Sequence, residues 1–167
     1  MAAVAGAGRA LGISSAAELP IHWGRDGSGI KWSARIDGVG TSSPIAVGGR
    51  VYVTSAKSIG SQIELRVHGF DLSNGESLWQ TTVARRKKER THWMNSSVGP
   101  TPVSDGQTTF AYFGAHLAAL DSAGRTVWVH EIDPDYLKDS RYAAGSSGRQ
   151  LLLVRDAARD RRRRGIW

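Results

Sequence analysis

One pattern constrains this chain more than any other, an internal repeat. Gly69-Phe70-Asp71-Leu72-Ser73-Asn74-Gly75-Glu76-Ser77-Leu78-Trp79 recurs as Ala118-Ala119-Leu120-Asp121-Ser122-Ala123-Gly124-Arg125-Thr126-Val127-Trp128, with Asp, Gly and Trp in step apart from one residue of slippage. The two Trp lie 49 residues apart, and Trp32, in Ile30-Lys31-Trp32, precedes Trp79 by 47. A fixed period of this size is the mark of stacked units, each of which buries its apolar face only against its neighbours.

A second element keeps the same phase. Gly40-Thr41-Ser42-Ser43-Pro44-Ile45 recurs as Val98-Gly99-Pro100-Thr101-Pro102-Val103, and Ala144-Gly145-Ser146-Ser147 begins a third copy. Each complete copy leads into a Gly turn and a β-branched or aromatic run, Gly48-Gly49 before Val51 to Thr54 and Gly106 before Thr109 to Phe113, which predicts a hairpin. Each unit then reads as four short strands. Pro is tolerable at the head of the first, because that residue need not donate to the ladder. Gly75 and Gly124 suit a left-handed turn position between the third and fourth strands, where Asp71 or Asp121 can accept local backbone N–H bonds. Trp32, Trp79 and Trp128, on the outer strands, would pack against the neighbouring unit.

The fold class this predicts is all-β, a partial β-propeller of four-stranded antiparallel blades, with about two to three blades and a ring that does not close. Residues 1–35 are expected to end in the last strand of an incomplete blade, residues 36–83 and 99–131 to form blades, and residues 84–98 a basic and polar loop. Residues 132–154 would start a third, defective blade. Residues 155–167 would be an Arg-rich disordered tail. Both ends look truncated, and no intact signal peptide is recognisable at the start.

Composition narrows the chemistry. The absence of Cys excludes disulfides, thiolate metal sites and thiol nucleophiles. The net charge of +7 comes from 22 Lys and Arg against 15 Asp and Glu, but seven Arg and two Asp fall in residues 149–167, so the body is nearly neutral. The high pI therefore reports a tail and the cluster Arg85-Arg86-Lys87-Lys88-Glu89-Arg90. Without an accompanying series of stacking aromatics, that cluster reads as a solvated loop, and nucleic acid is not the expected partner. No run of apolar residues is long enough for a spanning helix. His22, His68, His116 and His130 share no metal-ligand spacing and read as structural or surface residues. His92, Asn95 and Arg141 fall on loops at blade ends, where propellers gather functional groups, and are the candidates for binding. No catalytic residue and no metal ligand is expected.

At these residues the chain resembles the pyrroloquinoline-quinone-like (PQQ-like) β-propeller repeat family, whose blade signature Ala-x-Asp-x-x-Thr-Gly-x-x-x-Trp is matched by Asp71, Gly75 and Trp79 and again by Asp121, Gly124 and Trp128. The likeness runs from about residue 12 to residue 154 and includes Leu19-Pro20-Ile21-His22-Trp23 and His92-Trp93-Met94-Asn95-Ser96. It departs at the turn, where the family's Thr is Asn74 in one copy and Ala123 in a shorter loop in the other. The family holds both quinoprotein dehydrogenases and non-catalytic propellers, so the resemblance implies a non-catalytic scaffold for protein or ligand binding, or alternatively a fragment of a PQQ-dependent oxidoreductase of the alcohol or sugar dehydrogenase type. A quinone site would need clustered carboxylates and a calcium cradle, which the chain does not offer, so PQQ and calcium are expected only in a longer parent. The resemblance places that parent in the periplasm or outside the cell.

Overall fold

The computed structural model describes residues 3–4, 21–24, 26–88 and 98–131. They form nine strands in two sheets and, among themselves, no helix, so none long and apolar enough to cross a membrane. The first sheet orders β1 (Ala3–Val4), β2 (Ile45–Val47), β3 (Arg50–Ile59), β4 (Gln62–Asp71) and β5 (Ser77–Lys87); the second orders β6 (Val103–Ser104), β7 (Thr108–Tyr112), β8 (His116–Asp121) and β9 (Thr126–Glu131). Neighbours are antiparallel except for β1, which adds two residues parallel to β2. The result is a partial β-propeller of two adjacent blades that do not close a ring.

The repeat explains the architecture step by step. β2 and β6 begin immediately after Pro44 and Pro102. Gly48 and Gly49, both at positive φ (58° and 75°), make the two-residue turn whose twist matches that of a hairpin. Alternation along the strands then sorts side chains to two faces. Ile63, Leu65 and Val67 of β4 join Ala111 and Phe113 on and just beyond β7, and Ala118 and Leu120 of β8, in one core between the sheets. On the outer face of the first sheet Ala46, Val51, Val53 and Phe70 pack with Trp32, and on that of the second Phe110, Tyr112, Leu117 and Ala119 pack with Trp128.

Three features differ from the sequence expectation. Trp32 lies on no strand; residues 26–44 hold only the isolated bridge from Val39 to Ala56, since an extended segment becomes a strand only beside a ladder partner. The strands of the first sheet run about twice as long as those of the second, and β5 continues to Lys87, into the segment expected as a loop. The cause is β4, whose ladder extends to Gln62 and pairs Arg85, Arg86 and Lys87 with Glu64, Ile63 and Gln62. Trp79 reaches the neighbouring sheet as expected of a packing plate, but Trp128 meets only its own sheet among the described residues, and both are half-buried. The expected tail at residues 155–167 and the start of a third blade lie outside the described residues.

Candidate functional site

Two constructions stand out, the joint between the sheets and a charged cluster on the longer sheet. The joint is built from the repeat residues. In each sheet a register shift bulges one residue of the outer strand, Leu78 or Val127, opposite the β4 or β8 position that follows Gly69 or Ala119. Bulges re-aim a side chain, and here they set Trp79 across from Gly69 and Trp128 across from Ala119. The Trp79 ring then lies between two glycines. A Cβ on Gly69 would fall 2.5 Å from its Cε2, and one on Gly124, in the turn of the neighbouring sheet, 2.3 Å from its Cδ2. Its Nε1–H donates to the Ser122 carbonyl (3.2 Å). Trp32 treats the first sheet in the same way, covering Gly75 and donating to the Leu72 carbonyl (2.9 Å). Trp128 tilts against Phe110 as Trp79 does against Tyr52, at ring separations of 6.1 and 5.8 Å.

The acceptor turns are held by their Asp. Asp71 Oδ1 accepts from the Ser73 amide (2.7 Å) and hydroxyl, and these bonds hold its carboxyl below the usual range. Asp121 Oδ1 accepts from the amides of Ala123 and Arg125 (both 2.9 Å), with the same effect on its carboxyl. The first turn is one residue longer, closing Gly75 N to Asp71 O where the second closes Gly124 N to Asp121 O. Both still deliver a glycine at φ near +78°. The one-residue slippage in the sequence repeat is thus absorbed inside the turn.

The charged cluster sits on the face of the first sheet away from the second. Glu64, Arg66 and His68 alternate along β4 and are all nearly inaccessible, at 6%, 6% and 3% exposure. Glu64 accepts from both neighbours: Oε2 from Arg66 Nε (3.0 Å) and Nη2, and Oε1 from Arg85 Nε (3.0 Å) and Nη2 (2.8 Å). Asp37, on the strap before β2, accepts from Lys57 (2.6 Å) and from Arg66 Nη1 (3.0 Å). These bonds hold both carboxyls below their ordinary range. His68 Nε2 and Ser55 Oγ share a hydrogen bond of 2.7 Å. Burial, with the Arg66 charge beside it, lowers the His68 pKa to about 4, so the ring is neutral at pH 7.

A serine hydroxyl on a neutral imidazole is half of a nucleophile and base pair, but Ser55 is 1% exposed and no substrate carbonyl can reach it. The carboxylates are spent on guanidinium and ammonium partners, and among the described residues no cluster of His, Cys, Asp or Glu is placed to hold a metal ion. The cluster is an internally satisfied network that fixes the strap to the sheet.

Of the residues marked by sequence, Trp79, Asp121 and Gly124 fall in the joint between the sheets, Trp32, Asp71 and Gly75 form the like arrangement on the first sheet, and Trp128 packs against Phe110 of its own sheet, whereas His92, Asn95 and Arg141 lie outside the described residues. The charged cluster escaped the sequence reading. Its signal was present in the strict alternation Gln62-Ile63-Glu64-Leu65-Arg66-Val67-His68, which aims four polar residues at one face.

Comparison with known proteins finds one family model, described as outer membrane protein assembly factor BamB, matching residues 2–158. Among solved structures, the crystal structure of BamB from Moraxella catarrhalis is similar at 16% identity and a TM-score of 0.30, over 60% of this chain and 37% of that one. The chain therefore spans well under half the length of that protein. No curated protein matches.

Proposed function

Since this chain belongs to the PQQ-like β-propeller repeat family, through the model described as outer membrane protein assembly factor BamB, we propose that it is a non-catalytic scaffold that binds a protein partner in the periplasm. The observation that carries this reading is the family match over residues 2–158. The closed character of the polar groups supports it. Ser55 and His68 are sealed in the sheet, and Glu64 and Asp37 are committed to Arg66, Arg85 and Lys57. In this reading residues 36–83 and 99–131 are blades, Trp32 is the plate of a preceding one, residues 132–154 begin a following one, and neither quinone nor calcium is held by this chain. His92, Asn95 and Arg141 are proposed as contacts to the partner.

Photoreactive residues placed singly at Ser61, Ser73, Gln107 and Asn95 in the chain exported to a bacterial periplasm test it. Discrete adducts with a component of outer-membrane assembly are expected. Adducts at none of the four positions, or stoichiometric and saturable uptake of PQQ with calcium in calorimetry, would overturn the reading.

A further inference from the structure

The projecting end of the first sheet carries more positive charge than its own carboxylates absorb. Among the described residues Lys57, Arg66, Arg85, Lys87 and Lys88 meet only Asp37 and Glu64 there, and both acids are taken up by Lys57, Arg66 and Arg85. Lys87 and Lys88 are exposed and have no acidic partner among the described residues. This charge sits on a particular backbone. β5 is the last strand in the order of its sheet, hydrogen-bonded on one side to β4, so among the described residues its other edge is unpaired. A lysine or two is enough to blunt such an edge against aggregation. Here the sequence holds four consecutive cations, Arg85 to Lys88, and the ladder fixes three of them as strand, with Arg85 and Lys87 alternating to one face and Arg86 to the other.

From this juxtaposition we infer that the outer edge of β5 around residues 84–88 binds an extended acidic segment of a partner protein by adding it to the sheet as a further strand. The inference rests on the scaffold reading and states the chemistry of what is bound at this place. Main-chain hydrogen bonds to an exposed edge supply affinity without regard to sequence, while the side chains select. Same-face side chains on a strand recur about every 7 Å, so carboxylates at alternate positions of an added strand come opposite Arg85 and Lys87. An extended polypeptide matches both the hydrogen-bonding edge and the spacing of the charges. A lipid headgroup surface would satisfy only the charges.

The test uses the full chain and a fluorescent peptide of about six residues alternating Glu and Thr, long enough for one strand, followed by anisotropy. Binding should weaken as salt rises toward about 0.15 M. Lys87→Glu with Lys88→Glu should weaken it at least about tenfold, with Lys87→Gln and Lys88→Gln intermediate, since the first reverses a charge opposite a carboxylate and the second a charge beside the same edge. Both lysines are exposed, so the variants should melt like the parent. The same peptide N-methylated at alternate amides keeps its charge but loses edge donors, and should also bind at least about tenfold more weakly. Equal binding of the N-methylated peptide would overturn strand addition. Binding to phosphatidylglycerol vesicles with none to the peptide would overturn the inference in favour of a membrane surface. Absence of both, with the photoadducts intact, would overturn this inference and leave the scaffold reading standing; peptide binding without any adduct would do the reverse.

Discussion

At the scale of single residues, the joint between blades depends on what glycine lacks. Gly124 sits at φ +78° with the Trp79 ring where its Cβ would be, and it is buried; Gly60, in the turn between β3 and β4, has φ +57° and nothing near. Both positions penalise an L side chain for its backbone conformation, by about 1–2 kcal/mol. Only Gly124 adds a collision, which must push Trp79 off its seat at about 1–3 kcal/mol more. Gly124→Ala should therefore lower stability in urea by about 2–5 kcal/mol against about 1–2 for Gly60→Ala, and equal losses would mean that the ring yields freely. This part of the site is legible in the sequence, because Asp, Gly and Trp each have a narrow structural use and the repeat displays all three together. What the repeat could not convey is Gly69, whose missing Cβ makes room for Trp79 from the other side. A glycine inside an alternating strand looks like a weakness until the ring that fills its place is known.

At the scale of elements, β4 is the strand on which reading and structure part. Its core face, Ile63, Leu65 and Val67, follows directly from alternation. Its other face was missed, because Glu, Arg and His on a strand read as solvent-facing when nothing in the sequence announces Asp37, twenty-nine residues from Arg66, as their partner. For the same reason Arg85 to Lys87 read as a loop, although Glu64 draws Arg85 into the ladder. The buried row has a consequence for pH. His68 titrates at about 4 in the folded protein and at 6.5 in an open chain, so between those values the unfolded state binds more protons. Stability from this group is complete above pH 6.5 and declines as pH falls toward 4. The carboxyls of Asp37 and Glu64, held low by their cations, add their own loss as pH falls through their open-chain values of 3.8 and 4.5. Midpoints of urea unfolding should therefore slope downward from pH 6.5 to 4. In His68→Gln, which keeps a hydrogen-bonding partner for Ser55, that slope should flatten while the fall below about pH 4 remains. An unchanged slope in the variant would assign it to other groups.

At the scale of the whole molecule, the central question is whether two blades of an unclosed arc behave as one body. Each sheet is continuous in sequence and has a ladder of its own, so independence is a real alternative. Against it stands the core between them, where Leu65 and Val67 of the first sheet and Leu120 of the second are completely buried, and where Trp79 reaches from β5 to the carbonyl of Ser122. The strap before β2 adds to this, through the Thr41 amide to Val98 O (3.0 Å) and the Ser43 amide to Thr101 Oγ1 (3.2 Å). In repeat architectures stability is roughly a sum of unit and interface terms, and a filled interface makes neighbours unfold together. Leu120→Ala should cost about 2–5 kcal/mol and should reduce amide protection in β4 as well as in β8. The sharper measurement is a double-mutant cycle. Leu65→Ala and Leu120→Ala empty one shared core from its two sides and should couple by about 0.5–3 kcal/mol, while Val53→Ala, on the far face of the first sheet, should add to Leu120→Ala within about 0.5 kcal/mol. Additivity in both cycles, with β4 protection untouched by Leu120→Ala, would mean that the sheets fold separately and that the joint built by Trp79 orients the blades without coupling them.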